Sequence, residues 1–208
     1  MAELLLVSRW LDAVPAFVAA HTSRTTAEPV RLAFVPTASS IYPDRAWVDY
    51  DRRTLRGFGY AVDDVHVEHL SPDGLAHCLD DTDVVFVSGG NVFHLLSVLR
   101  RTGFDRLLTD RVRAGMPYIG ASAGAGVVGA DIGPLGLLDD PEVAPDMSDT
   151  TGLGWIDEVV VPHADGIVVG KNVIDEIGER YAADHTLRFL TDDQALLVSG
   201  DSRSVIAS

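Results

Sequence analysis

From the first residues to about Gly129, short and nearly unbroken apolar runs alternate with longer stretches in which apolar positions recur every three or four residues. The short runs, at 4–7, 30–35, 62–67, 84–87 and 118–121, have the length and composition of strands. The longer stretches, at 12–21, 44–58, 72–79, 92–103 and 104–114, have the spacing of helices, and glycine, proline or Asp/Ser pairs punctuate most junctions. This alternation predicts an α/β fold, a mostly parallel sheet with helices on both faces. The runs at 30 and 84 are apolar throughout, which requires burial on both sides of the sheet. AVDDVHVEH, around residue 62, alternates apolar and polar positions instead, as a strand near a sheet edge would.

Beyond Gly129 the periodicity lapses. GADIGPLGLLDDPEVAPDMSDTTGLGW is rich in glycine, proline and aspartate, so 131–155 reads as a long irregular excursion, the kind of segment that serves as a binding loop or lid. A strand is predicted at 159–161, a helix at 172–184, and two short strands at 195–198 and 204–206. No linker or internal repeat interrupts the chain, and 208 residues suit one core, so a single domain over 1–208 is expected.

Charge and cysteine content narrow the function classes. A formal net charge of -15 repels polyanions, and no Lys/Arg cluster reverses it locally, which argues against nucleic-acid binding. Cys78 is the only cysteine, which excludes an intrachain disulfide framework and a multi-cysteine metal site and fits a reducing, cytoplasmic setting. The opening MAELLLVSRW has too short an apolar run for a signal peptide and carries Glu3 where a basic residue belongs. No stretch approaches the roughly 20 apolar residues of a membrane span, so no membrane association is expected.

YIGASAGAGVVG, from Tyr118 to Gly129, contains two overlapping signatures. Gly120-Ala-Ser122-Ala-Gly124 fits GxSxG, the nucleophile elbow of serine hydrolases. Gly124-Ala-Gly126-Val-Val-Gly129 fits GxGxxG, the pyrophosphate cradle. A cradle needs its first glycine at the strand-to-helix turn, followed by a full crossover helix. Here the turn falls earlier, at Gly120, and Gly133-Pro134 stops any helix too soon. The serine reading needs a buried strand, a sharp turn bearing serine, and small residues around it; PYIG, Ser122 and AGAGVVG supply these in order. The plain alternative is a Gly/Ala-rich helix packed on the sheet with Ser122 as its N-cap.

A serine hydroxyl needs a base. Among seven histidines, His163 stands out because it ends the apolar run EVVVPHADG, where a strand's carboxyl end presents catalytic groups. Its other readings are a loop histidine capped by Asp165, or a metal ligand with Asp165, for which no third ligand is evident. The acid that orients such a base could be Asp192 or Asp193, in the turn of FLTDDQALLVSG, or Asp146 or Asp149 in the excursion. FVSGGNVFHLL places Gly89 and Gly90 at another strand end, where a backbone amide could form an oxyanion hole with that of Ala123.

These segments together, with ELLLVS, FVPTAS, the pair Asp146-Met147, VVVPH and LTDDQALLV, resemble peptidase E, the aspartyl dipeptidases, whose wider relatives include cyanophycinase. The resemblance spans most of the chain. It implies a fold like the class I glutamine amidotransferases, a flavodoxin-like three-layer sandwich, with serine where those enzymes carry cysteine. It implies Ser122 as nucleophile, His163 as general base, Asp192 as third member with Asp146 the alternative, and Gly90 and Ala123 as the oxyanion hole. It further implies hydrolysis of a small peptide after an N-terminal aspartate through an acyl-enzyme, by a monomer or homodimer without metal or cofactor. An arginine beyond the histidine would hold the aspartyl side chain; Arg180 is the candidate, with Lys171 a weaker point charge. The rival readings are a cyanophycinase-like β-aspartyl peptidase and an inactive amidotransferase-like binding module.

Overall fold

A computed structural model describes residues 2–22 and 28–208. The strands are β1 (Glu3–Val7), β2 (Arg31–Val35), β3 (Ala61–Asp64), β4 (Val84–Val87), β5 (Tyr118–Ala121), β6 (Val159–Val161), β7 (Leu187–Phe189), β8 (Gln194–Ser199) and β9 (Ser202–Ala207). The helices are α1 (Val14–His21), α2 (Ala46–Gly57), α3 (Pro72–Asp80), α4 (Val92–Thr102), α5 (Phe104–Arg113), α6 (Ala123–Gly126) and α7 (Lys171–Tyr181). The main sheet is 7-stranded in the order β3-β2-β4-β5-β1-β8-β9. From β3 to β1 neighbouring strands run parallel, whereas β8 and β9 pair antiparallel. The alternating strand near 62 is at the edge, as its pattern predicts, although it stops at Asp64 and a short 3-10 turn covers Val67–His69.

Alternation along each strand divides the apolar residues between two cores. Leu4 and Leu6 of β1, Val85 and Val87 of β4, and Tyr118 of β5 pack with α4 and α5 on one face. Leu5, Val7, Phe34, Phe86 and Ile119 pack with α1 and α2 on the other. Burial on both faces is why β1, β2 and β4 read as continuous apolar runs.

The second half departs from the sequence expectation in three ways. The helix after Ser122 is a single turn, and its last residue, Gly126, and Gly129 beyond it pack so closely that a Cβ would lie 2.7 Å from the Leu135 side chain and 2.6 Å from the Glu158 carbonyl oxygen, respectively. The excursion is not structureless: it folds into 3-10 turns at Gly133–Leu137 and Pro141–Val143 and is tied at its base by a bridge between Asp131 and Thr151. The strand at 159–161 does not join the main sheet. It forms a separate parallel ladder with β7, a strand too short to stand out in the sequence.

Candidate active site

The parallel strands β1, β4 and β5 end on one rim of the sheet, the place where α/β folds build their sites. The antiparallel β8 starts at that same rim, since Ala195 pairs with Val7. The residues just past these strand ends, Ser8–Trp10, Ser88–Gly90 and Ser122, therefore converge with the turn at Asp192.

Ser122 takes φ 49 and ψ -108, a conformation that costs a side-chain-bearing residue on the order of 1–3 kcal/mol. The surroundings hold it there. Its N–H donates to the Val7 carbonyl at 3.0 Å, and its own carbonyl accepts from the amides of Ala125 and Gly126 at 2.9 Å. The flanking glycines explain the motif sterically: a Cβ on Gly120 would lie 2.2 Å from the Gly124 carbonyl oxygen, and one on Gly124 would lie 2.2 Å from that of Val87. The buried Tyr118 hydroxyl donates to the Gly124 carbonyl at 2.7 Å and closes the turn. The GxGxxG match is thus the packing surface of the elbow, its last glycines abutting the Leu135 side chain and the Glu158 carbonyl.

Ser122 Oγ and His163 Nε2 are 2.9 Å apart, and His163 Nδ1 and Asp192 Oδ1 are 2.6 Å apart. The small β6–β7 ladder makes this row possible. Leu190 donates its amide to Val161 and Ala164 donates to Leu190, so the chain following β7 runs beside His163 and delivers Asp192 two residues later. His163 has φ 60, and its amide donates to the buried Ser8 Oγ at 2.8 Å. Asp165 Oδ2 accepts from the Asp192 amide at 3.0 Å. The Asp165 carboxyl is held below its usual range, first by the Ile167 amide and further by the Asp192 amide and His163. Asp165 thus anchors the turn. Both ring nitrogens of His163 are engaged, and no described cluster of His, Cys, Asp and Glu could hold a metal ion.

The amides of Gly89, Gly90 and Ala123 donate to no described protein acceptor. Gly90 has φ 146, and a Cβ there would sit 2.3 Å from the Ala38 carbonyl oxygen. Only glycine allows the chain to pass this close to the Ala38 carbonyl.

Three other sequence candidates are elsewhere. Asp146 is exposed in the excursion and makes no hydrogen bond to His163. Arg180 lies outside the cavity: Ile174 and Ile177 turn one side of α7 to the core, leaving Arg180 on the exposed flank, paired with Glu176 at 2.5 Å. Lys171 is likewise turned outward, to Asp175 at 2.6 Å.

Ser122 and His163 open into a cavity of about 650 Å³. Its wall includes residues without a sequence signal of their own, among them Arg9, Trp10, Tyr42, Trp47, Tyr50, Asp51 and Asp139. Arg9 is the only Lys or Arg in the described lining; its guanidinium lies 4.8 Å from the Trp10 ring centroid and 3.8 Å from Asp192 Oδ2. Burial pushes the Asp51 carboxyl up to about 7, against the lowering effects of the Ser88 hydroxyl, Arg9 and Arg52. Burial also raises Asp139, to about 6, partly offset by the Val92 amide.

A carboxyl whose native pKa is raised binds its proton more tightly when folded, so its ionisation destabilises the native state as pH rises from about 4 through 7. Asp51→Asn is therefore expected to raise stability at pH 8 by up to roughly 4 kcal/mol relative to its effect at pH 4. Urea melts at both pH values check this.

An α/β sheet bearing a serine on a strained turn, with an imidazole and a carboxylate in line behind it, has the architecture of a serine hydrolase. The chain belongs to peptidase family S51, whose sequence model matches residues 12–206. A peptidase of Listeria innocua is 30% identical over 198 residues, covering 95% of this chain and 93% of that protein. Peptidase E of Streptomyces coelicolor is 43% identical over 126 residues, 59% of this chain and 47% of that protein. The crystal structure of a Listeria monocytogenes protein assigned to peptidase E superposes with a TM-score of 0.88 at 25% identity, covering 100% of this chain and 99% of that one. The protein is a serine-type peptidase with the peptidase E fold. Among the described residues, no helix is long and apolar enough to cross a membrane.

Proposed function

We propose that the protein hydrolyses short peptides at the bond after their first residue, with Ser122 as nucleophile, His163 as base and Asp192 as the acid that orients it. The observation that carries this reading is the unbroken row of Oγ, Nε2, Nδ1 and Oδ1, with contacts of 2.9 and 2.6 Å, at a cavity large enough for a dipeptide. In the forward step His163 Nε2 takes the Ser122 proton as Oγ attacks the peptide carbonyl. The amides of Gly90 and Ala123 receive the oxyanion. His163 then gives its proton to the leaving amine, and water, deprotonated in turn by His163, releases the acyl group. A dipeptide panel assayed by amine release, alongside fluorophosphonate labelling of Ser122, tests the reading. An unlabelled Ser122 and no hydrolysis would favour a binding module.

We further propose that a preference for N-terminal aspartate, as in the aspartyl dipeptidases, would be carried by Arg9 and not by Arg180. Arg9 lines the cavity, whereas Arg180 is turned outward to Glu176. Arg9→Ala is expected to reduce the Asp-Ala to Ala-Ala ratio of kcat/KM by about tenfold, the scale of one charge-assisted hydrogen bond, while Arg180→Ala leaves it within about twofold. Taking the ratio cancels any loss of turnover that follows from Arg9 lying near Asp192.

A further inference from the structure

Asp51 is a carboxylate in the apolar stripe of α2, between Val48 and Leu55, and is only 7% exposed. Its Oδ2 accepts from the Ser88 hydroxyl at 3.2 Å. Oδ1 accepts no hydrogen bond, and no salt bridge reaches the carboxyl, among the described residues. Neither of the cations nearest to it forms an ion pair with it. Arg52 pairs with Asp49 at 2.6 Å and Asp64 at 2.9 Å, while Arg9 lies over Trp10 and near Asp192. A buried carboxyl without a counter-charge is costly and is ordinarily replaced or paired. This one faces a cavity, and Trp47, one helical turn before it on the same surface, and the adjoining Tyr50 also line that cavity with aromatic rings.

The position is also next to the chemistry. Ser88 precedes Gly89, and a Cβ on Gly89 would lie 3.1 Å from that of Ser122. A carboxylate beside aromatic faces is suited to an organic cation. We infer that Asp51, flanked by Trp47 and Tyr50, receives a cationic group of the substrate's first residue, an ammonium carried on its α-carbon or at the end of its side chain. The inference takes from the peptidase reading only that the ligand is a peptide. Asp139, the other carboxyl of the wall, is only half-buried, and its Oδ2 accepts from the Val92 amide at 2.8 Å.

The test uses the Ser122→Ala protein, so that binding is read without turnover, through the fluorescence of Trp10 and Trp47. The probes are Ala-Ala, Lys-Ala and their N-acetylated forms. Peptides carrying a cation on the first residue are expected to bind about 10- to 100-fold more tightly than N-acetyl-Ala-Ala, the range of a hydrogen bond between charged groups. Adding Asp51→Asn should abolish that gap. A gap between Ala-Ala and its acetylated form assigns the site to the α-ammonium; affinity retained by N-acetyl-Lys-Ala assigns it to the side chain. N-acetyl-Ala-Ala binding as tightly as the other three, a gap that survives Asp51→Asn, or no binding by any of them would overturn the inference. Wild-type turnover is read separately. Hydrolysis of N-acetyl-Ala-Ala as fast as that of all three cation-bearing peptides would sink the inference but not the peptidase reading, and cation-dependent binding without any hydrolysis would do the reverse.

Discussion

Ser122→Ala is expected to lower kcat by about 10⁴- to 10⁶-fold while leaving substrate binding and the fold in place. The substitution deletes one oxygen, whose described hydrogen bond is to His163 Nε2 at 2.9 Å. A single neutral hydrogen bond contributes about 1 kcal/mol net to stability, so the melting temperature should move by only roughly 2–4 °C. The supports of the elbow are backbone groups and the Tyr118 hydroxyl, none of which involves Oγ. Residual turnover above the uncatalysed rate would come from substrate placement and the amides of Gly90 and Ala123. Steady-state kinetics on the best dipeptide of the panel, with fluorophosphonate labelling as a second readout, checks this. Near-normal turnover by the variant would mean that a different group attacks the carbonyl.

The parts of this site that were legible in the sequence are those in which a backbone constraint leaves a residue signature. Gly120, Gly124 and Gly90 are small because a Cβ at each would meet a carbonyl oxygen at 2.2–2.3 Å, and that requirement is what makes GASAG and SGGN visible as motifs. The sheet was legible for a similar reason: strands buried on two faces have no polar alternation to obscure them. What was not legible depends on long-range pairing. Leu187–Phe189 is three residues long and partly exposed, yet its ladder with β6 brings Asp192 to His163. Nothing local separates Asp192 from Asp146 in the sequence, since both sit in polar turns. Arg180 illustrates the same limit, because a position on a helix fixes which neighbours a side chain meets four residues away but not what lies beyond the helix. Ser8, Arg9 and Trp10 carry no motif and owe their place to β1 lying between β5 and β8. Asp51 did leave a signal that helical spacing could have disclosed: an acid in the stripe of Val48 and Leu55, where an apolar residue belongs.

Asp192→Asn is the sharper test of how the row works, with an expected loss of about 10³- to 10⁴-fold in kcat and little change in KM. Asp192 Oδ1 lies 2.6 Å from His163 Nδ1, and the aspartate side chain is only 9% exposed. An ionised carboxylate can only accept there, which fixes the proton on Nδ1 and leaves Nε2 free to take the Ser122 proton. An amide nearly matches the shape but removes the negative charge that stabilises the imidazolium formed during attack, and its NH₂ group can hold the wrong tautomer in place. The turn itself should survive, because its anchors are the Asp192 amide on Asp165 and the Asp192 carbonyl accepting from the Trp10 amide. The loss should therefore appear in the rate of acylation, with fluorophosphonate labelling slowed in parallel and peptide binding retained. Asp146→Asn, at an exposed position with no hydrogen bond to His163, is expected to leave kcat within about twofold, as surface substitutions away from the reacting groups do. Were Asp146→Asn the damaging change and Asp192→Asn the tolerated one, the working acid would come from the excursion, and that segment would have to close over His163 during turnover.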